Sequence, residues 1–127
     1  QDILLDVTGA AWGLQALGVD LGAVTCLSPV RVGGGVVVIP SHGWLPVPAP
    51  ATEAILRRYR IPTAPGPVET ELLTPTGASI LAALEPTFVD REAAPETPAG
   101  WSVGAGLGHH DLGPSHANAL RLSLSPP

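Results

Sequence analysis

Val68-Glu69-Thr70-Glu71-Leu72-Leu73-Thr74-Pro75-Thr76-Gly77 is the stretch that decides the fold. Val68 to Leu73 alternates as a short strand should. Thr74 then offers a side-chain oxygen as N-cap, and Pro75 takes the first helical position, where a missing N–H does no harm. The expectation is a strand turning directly into a helix that runs through Leu84. Alternation would place Glu69 and Glu71 on one face of that strand. The helix start offers free N–H groups and a positive dipole end, which suit a phosphate or carboxylate. Every helix has such an end, so this feature alone does not define a site.

Outward from there the pattern repeats. Pro62, Pro65 and Pro67 make residues 61–67 a loop. Ala49 to Arg58 reads as a helix with Pro50 in its first turn and Arg57, Arg58 and Arg60 at its end, complementing the dipole. Pro40 to Pro50 reads as a proline-rich loop. Val36-Val37-Val38-Ile39 is β-branched and short, which predicts a buried strand. Gly33-Gly34-Gly35 breaks the chain before it. Residues 22–31 read as a strand interrupted by Pro29. Residues 2–17 read as a helix, with Ile3, Val7, Ala10, Leu14 and Leu17 at three- and four-residue spacing and Gly18 as the stop. Gly9 and Gly13 cost that helix stability and predict a close approach by another backbone. Residues 85–99 are polar with three prolines and read as loop; 100–107 and 117–124 read as two terminal strands. Strands interleaved with about three helices predict an α/β (or α+β) domain with a layered mixed sheet. No internal repeat is visible.

The 127 residues suffice for one domain, expected over 1–127, and are too few for two. Hydrophobic residues make up 45% and charged residues 13%, which excludes global disorder. Net charge is −5, with arginine as the only strong base, so no basic surface for nucleic acid or anionic lipid exists. No apolar run approaches the roughly 18 residues a membrane helix needs. The lone Cys26 cannot form an internal disulfide, and a reducing compartment is expected. In an apolar strand it reads as an inert core thiol. No basic-then-apolar leader is apparent. The opening Gln1-Asp2-Ile3 resembles the inside of a helix, so a fragment or processed piece is expected.

Few clusters carry chemistry. Asp2 and Asp6 lie one turn apart, a like-charge pairing that a metal or a basic partner would reverse. Two solvated acids near a helix start would look the same. His109, His110, Asp111 and His116 are the densest group of metal-capable residues, and imidazole suits nickel, zinc and copper. If a strand continued there, His109 and Asp111 would share a face; a polar loop with incidental histidines is the alternative. His42 could serve as a ligand, a proton carrier or a turn residue. Gly104-Ala105-Gly106-Leu107-Gly108 lacks the following helix that a dinucleotide loop requires. A bulged strand or a close backbone approach remains. No nucleophile sits in a catalytic context.

Three segments together carry a resemblance: Leu45-Pro46-Val47-Pro48-Ala49-Pro50-Ala51-Thr52, Glu69 to Ala78, and Gly104 to Asp111 followed by Asn118-Ala119-Leu120-Arg121. With Asp2 to Ala11 and Ser41-His42-Gly43 they resemble the LarC family of nickel-insertion proteins, in order and over nearly the whole chain. The resemblance implies a cytoplasmic enzyme, a nickel chelatase or cyclometallase. It would insert Ni(II) into pyridinium-3,5-bisthiocarboxylic acid mononucleotide to make the nickel-pincer cofactor of lactate racemase. CTP would be consumed with Mn or Mg, at a part of the protein outside this chain. The chain would be the second half of the family's N-terminal part, lacking both flanking segments, which become its partners. Exposed surface where they should pack would favour a homo-oligomer. His109 and His110 depart from the family pattern, whereas Asp111 matches it.

The residues expected to act follow from combining the two readings. Asp2, Asp6, His42, Glu71 and Asp111 are candidate nickel ligands. His42 and Asp6 are candidate catalytic groups, because cyclometallation removes a ring proton. Thr74, Thr76, Gly77 and Arg121 are candidates for the substrate's phosphate. The competing expectation is a non-catalytic scaffold of the same protein, and a third is a histidine-based metal store.

Overall fold

The computed structural model describes residues 2–41, 43–94 and 96–126, and of Asp2 only the backbone. Helix α1 (Asp2–Ala16) ends in a left-handed glycine, Gly18 at φ 65°. The Gly18 N–H donates to the Gln15 carbonyl and the Val19 N–H to Leu14, both at 3.0 Å. This double bond pattern satisfies carbonyls that a helix end otherwise leaves open. Asp20 then caps a short 3-10 turn, Leu21–Ala23.

Strand β1 (Thr25–Ser28) is followed by Pro29 and the two-residue β2 (Val30–Arg31). Strands β3 (Val36–Ile39) and β4 (Gly43–Pro46) pair antiparallel. Helix α2 (Pro50–Arg58) leads to β5 (Thr63–Ala64) and helix α3 (Pro75–Leu84) to β6 (Thr87–Asp90). Strand β1 pairs parallel with β6, from Thr25 opposite Thr87 to Ser28 opposite Asp90. Strand β2 pairs parallel with β5. Strands β7 (Ser102–Leu107) and β8 (Ala119–Leu124) form an antiparallel ribbon.

Three helices with parallel and antiparallel pairing make this an α/β fold, as expected, but the sheet is divided into four two-stranded pieces. Residues Gln1–Glu92 form one compact unit and Ala93–Pro127 a second. The core lies in the first: Val32, Leu56, Ile61 and Ala82 are buried, with Val30, Ile55, Leu73, Leu81 and Phe88 packed against them. Helices α2 and α3 supply Ile55, Leu56, Leu81 and Ala82; strands and loops supply the rest.

Several local expectations need correction. Residues 68–73 form no strand; a single antiparallel bridge joins Glu71 to Gly33. Two prolines without N–H groups precede this segment, and the neighbouring glycines turn away, so no ladder propagates. The loop expected over 85–99 contains β6, because the Thr-Phe-Val run outweighs the surrounding prolines once β1 offers a partner. The loops at 40–50 and 61–67 contain β4 and β5. Strand β3 is half out, with Val36 and Val38 exposed, because among the described residues β4 is its one partner. The strand expected over 22–31 starts at Thr25.

Helix α1 departs most. Only Ala10, Gly13 and Leu14 are half-buried, and its one substantial neighbour is α3. Nothing lies within 4 Å of a side chain built at Gly9 or Gly13, so the close backbone approach is absent. No described helix is long and apolar enough to cross a membrane.

Candidate functional site

The most constrained corner of the chain lies where the three glycines meet the segment before α3. The Gly34 N–H donates to the Thr70 carbonyl at 3.3 Å, Leu72 to Val32 at 3.1 Å, and Gly66 to Gly33 at 3.0 Å. Gly33 sits at φ 93°, and a side chain there would run into the Thr70 carbonyl. A Cβ on Gly66 would come within 2.7 Å of the Gly33 Cα. Side chains on Gly34 and Gly35 would stand 3.3 and 3.0 Å from the Glu69 carboxylate oxygens. The glycines therefore let one backbone lie against another and leave the Glu69 carboxylate resting over them.

Glu71 occupies the same corner. Its side chain is half-buried, and its Oε1 is shielded from solvent with no hydrogen-bond partner. Burial pushes its carboxyl pKa up. Among the described residues neither Glu69 nor Glu71 forms a salt bridge; the ion pair found joins Arg57 to Glu53 at 2.7 Å. The Glu69 carboxylate lies over Gly34 and Gly35, and the Glu71 backbone bridges to Gly33, so a bridge and a glycine turn, not strand alternation, set this segment.

Helix α3 begins beside this corner. Thr74 Oγ1 accepts from the Gly77 N–H at 3.2 Å, and the Thr74 carbonyl accepts from Ala78 at 2.9 Å. Pro75 has no N–H. The Thr76 N–H is the main-chain donor of that first turn left over for a ligand, fewer than the sequence suggested. The approach to α2 is tied to the glycines as well, the Val47 N–H donating to the Gly35 carbonyl at 3.0 Å. At α2's start Thr52 is fully buried and its Oγ1 has no partner. Two shallow hollows, of about 350 and 360 Å³, are lined by Tyr59, Ala82 and Glu85 in common, from the C-terminal ends of α2 and α3. Both helices therefore run in the same sense, and both N-termini lie toward the glycine end.

The remaining candidates are spread along the chain. Asp6 is exposed on α1, while His42 and the Asp2 side chain lie outside the described residues. Asp111 Oδ1 accepts from the Gly113 N–H at 2.8 Å in an exposed turn. Strand β7 stops at Leu107, so no strand aligns His109 with Asp111, and these histidines and His116 are exposed in the connection to β8. Arg121 donates to Thr97 Oγ1 at 2.8 Å, within the second unit, whereas Thr74 to Gly77 belong to the first. Among the described residues no three His, Cys, Asp or Glu side chains gather where one ion could be held. Cys26 is half-buried; burial raises its pKa and the Arg91 charge lowers it, leaving a thiol. Sequence reasoning gave Thr52 no role and took the glycines as a break and a turn. The signal was present in three glycines and, 34 residues on, two acids ahead of a capped helix.

The family profile described as "Nickel insertion protein" matches residues 1–126. A protein of Methanothrix thermoacetophila named for nickel insertion is 46% identical over 123 residues, covering 97% of this chain and 29% of that protein. A Clostridium kluyveri protein named "Pyridinium-3,5-bisthiocarboxylic acid mononucleotide nickel insertion protein" is 43% identical over 124 residues, covering 97% of this chain and 28% of its own length. A Thermomicrobium roseum protein, also named for nickel insertion, is 42% identical over 121 residues, at 95% and 27%. This chain thus spans under a third of the length of the relatives it matches. No solved structure matches it. The chain belongs to the nickel insertion protein family.

Proposed function

We propose that this chain supplies part of the substrate site of an enzyme that inserts nickel into pyridinium-3,5-bisthiocarboxylic acid mononucleotide. The reading rests on the family and on the name of the Clostridium relative. The observation that carries the site is Glu71, a half-buried carboxylate with a partnerless oxygen and, among the described residues, no base bonded to it. An unpaired carboxylate withdrawn from water is costly, and a divalent cation offsets that cost. Glu71 is therefore the foremost nickel ligand, with Asp2, Asp6, His42 and Asp111 as the other candidates.

A phosphate would be repelled by these acids unless the metal stands between them. With the metal there, the Thr76 N–H and the dipole end of α3, shaped by Thr74 and Gly77, suit the substrate's single phosphate. Arg121, in the second unit, is a separate candidate for binding phosphate. Forming a nickel–carbon bond replaces a ring hydrogen, so a proton leaves. His42 and Asp6 are its candidate acceptors. The whole protein would be a cytoplasmic cyclometallase serving lactate racemase maturation. CTP with Mn or Mg belongs to it, but the described residues bring no three acidic, histidine or cysteine groups together for such an ion. That same dispersion favours the second reading, a scaffold that positions the other segments of the protein.

Calorimetric titration of nickel into the chain at near-neutral pH tests this. Saturable binding near one ion per chain is expected, weakened about tenfold or more by Glu71→Gln. Thr76→Pro and Arg121→Ala should weaken mononucleotide binding. No nickel binding, or binding indifferent to Glu71→Gln, removes Glu71 as a ligand and leaves the scaffold.

A further inference from the structure

Strand β1 has a partner on one side only. The Thr87 N–H donates to the Val24 carbonyl and the Arg91 N–H to Ser28, both at 2.9 Å. With Thr25 opposite Thr87, this ladder turns the N–H and carbonyl groups of residues 24, 26 and 28 toward β6. The groups of Thr25 and Leu27 point the other way. Among the described residues no main-chain group meets them, and the Leu27 carbonyl has the Cys26 Sγ 3.7 Å away.

The two outer edges of this pair are unlike. Along β6 the outward groups belong to Phe88 and Asp90. Pro86 precedes that strand, and Asp90, Arg91 and Glu92 close it, with Asp90 Oδ1 accepting from the Glu92 N–H at 2.8 Å. Proline and charge protect a sheet edge from pairing. Thr25-Cys26-Leu27-Ser28 carries neither, so the β1 edge is unguarded. Parallel strands belong inside larger sheets, not in exposed pairs.

Helix α1, which leads into β1, is supported along half its length. Ile3, Val7, Ala10 and Leu14 lie on one stripe. Ala10 and Leu14 are half-buried, with α3 as neighbour. Ile3 and Val7 overhang, 64% and 44% exposed.

We propose that a strand lying immediately before α1 in the longer family polypeptide pairs parallel with the Thr25–Leu27 edge of β1. Helix α1 is then the crossover of a strand–helix–strand unit. Its 15 residues span roughly 22 Å, enough to carry the chain back past a strand of about six residues. A crossover helix packs its apolar stripe on the strands it joins, which puts the added strand beneath Ile3 and Val7. One element thus covers the open edge and the overhanging stripe. This chain spans under a third of its relatives' length, so the family has polypeptide to supply it. The strand rests on the longer enzyme of the proposed function, but on none of its nickel chemistry.

Amide hydrogen exchange, followed without nickel in this chain and in the full-length Methanothrix relative, provides the test. In this chain the Thr25 and Leu27 amides should exchange about tenfold or more faster than those of Cys26 and Ser28, which β6 holds. In the full-length relative the positions matching Thr25 and Leu27 should be as protected as their neighbours. Proline, walked through the roughly eight residues before that protein's α1, should release those two positions about tenfold or more. Protection at the Cys26 and Ser28 counterparts reports that the sheet stays intact. A cysteine at the Leu27 counterpart should also form a disulfide with one placed in that segment, a reading that needs no proline. Equally fast exchange at the two positions in both proteins overturns the proposal. So does protection that survives every proline, or failure of every cysteine in the segment to cross-link. Protection in this chain that grows with its concentration assigns the edge to a second copy and overturns it as well.

Discussion

Two glycines with the same side chain have opposite consequences here. Gly33, at φ 93° with a carbonyl where its Cβ would be, should not tolerate alanine. We expect Gly33→Ala to cost about 2 kcal/mol or more in a denaturant melt. Gly13 lies in an open helix interior, and Gly13→Ala should stabilise by about 0.5–1 kcal/mol. Glu71 carries a pH signature. Burial raises its pKa in the folded state, so the native chain holds that proton to higher pH than the unfolded chain does. Stability therefore falls as pH rises from the ordinary carboxylate range through the folded pKa, and the loss persists above it. Glu71→Gln should melt higher than the parent at pH 7, with the gain gone at pH 4. A melt unchanged at both would show that Glu71 is solvated. The identities of both acids were legible in the sequence. The partial burial of Glu71 was not, because it depends on which backbone lies against it.

At the scale of elements, the helices were legible and the strands only in part. Helix α3 carries its own instructions, an N-cap followed by proline, and its observed start agrees with them. Thr74→Ala should cost about 1 kcal/mol, and Thr74→Ser should restore most of it, read from the same melts. Helix α1 likewise stops at Gly18, where a left-handed residue is needed. Strands lack such local marks, since each needs a partner. Strand β6 was hidden among prolines until β1 supplied hydrogen bonds along it, and 68–73, with good alternation, found one bridge only. The exposure of Ile3 and Val7 on α1 was illegible for a related reason. The apolar spacing of α1 names a stripe but not what covers it.

Over the whole molecule, every described residue that is fully buried lies in Gln1–Glu92, and none lies in Ala93–Pro127. A chain of residues 1–92 should thus keep a cooperative melt within about 5 °C of the full chain. Residues 93–127 alone should show no transition, because a two-stranded ribbon is marginal in water. Loss of cooperativity in 1–92 would mean that the second unit completes the core. The sequence by itself determined the α/β class, the three helices, the cap of α3 and the stop of α1, the two terminal strands and, through its motifs, the family. Those depend on short-range chemistry: periodicity, capping and the φ that proline and glycine permit. Only the tertiary structure decided that the sheet divides into pairs, that Glu69 and Glu71 converge on Gly33 to Gly35, and that one side of α1 stays open. Each of these is a meeting of segments far apart in the chain, and burial, not local preference, sets its energy.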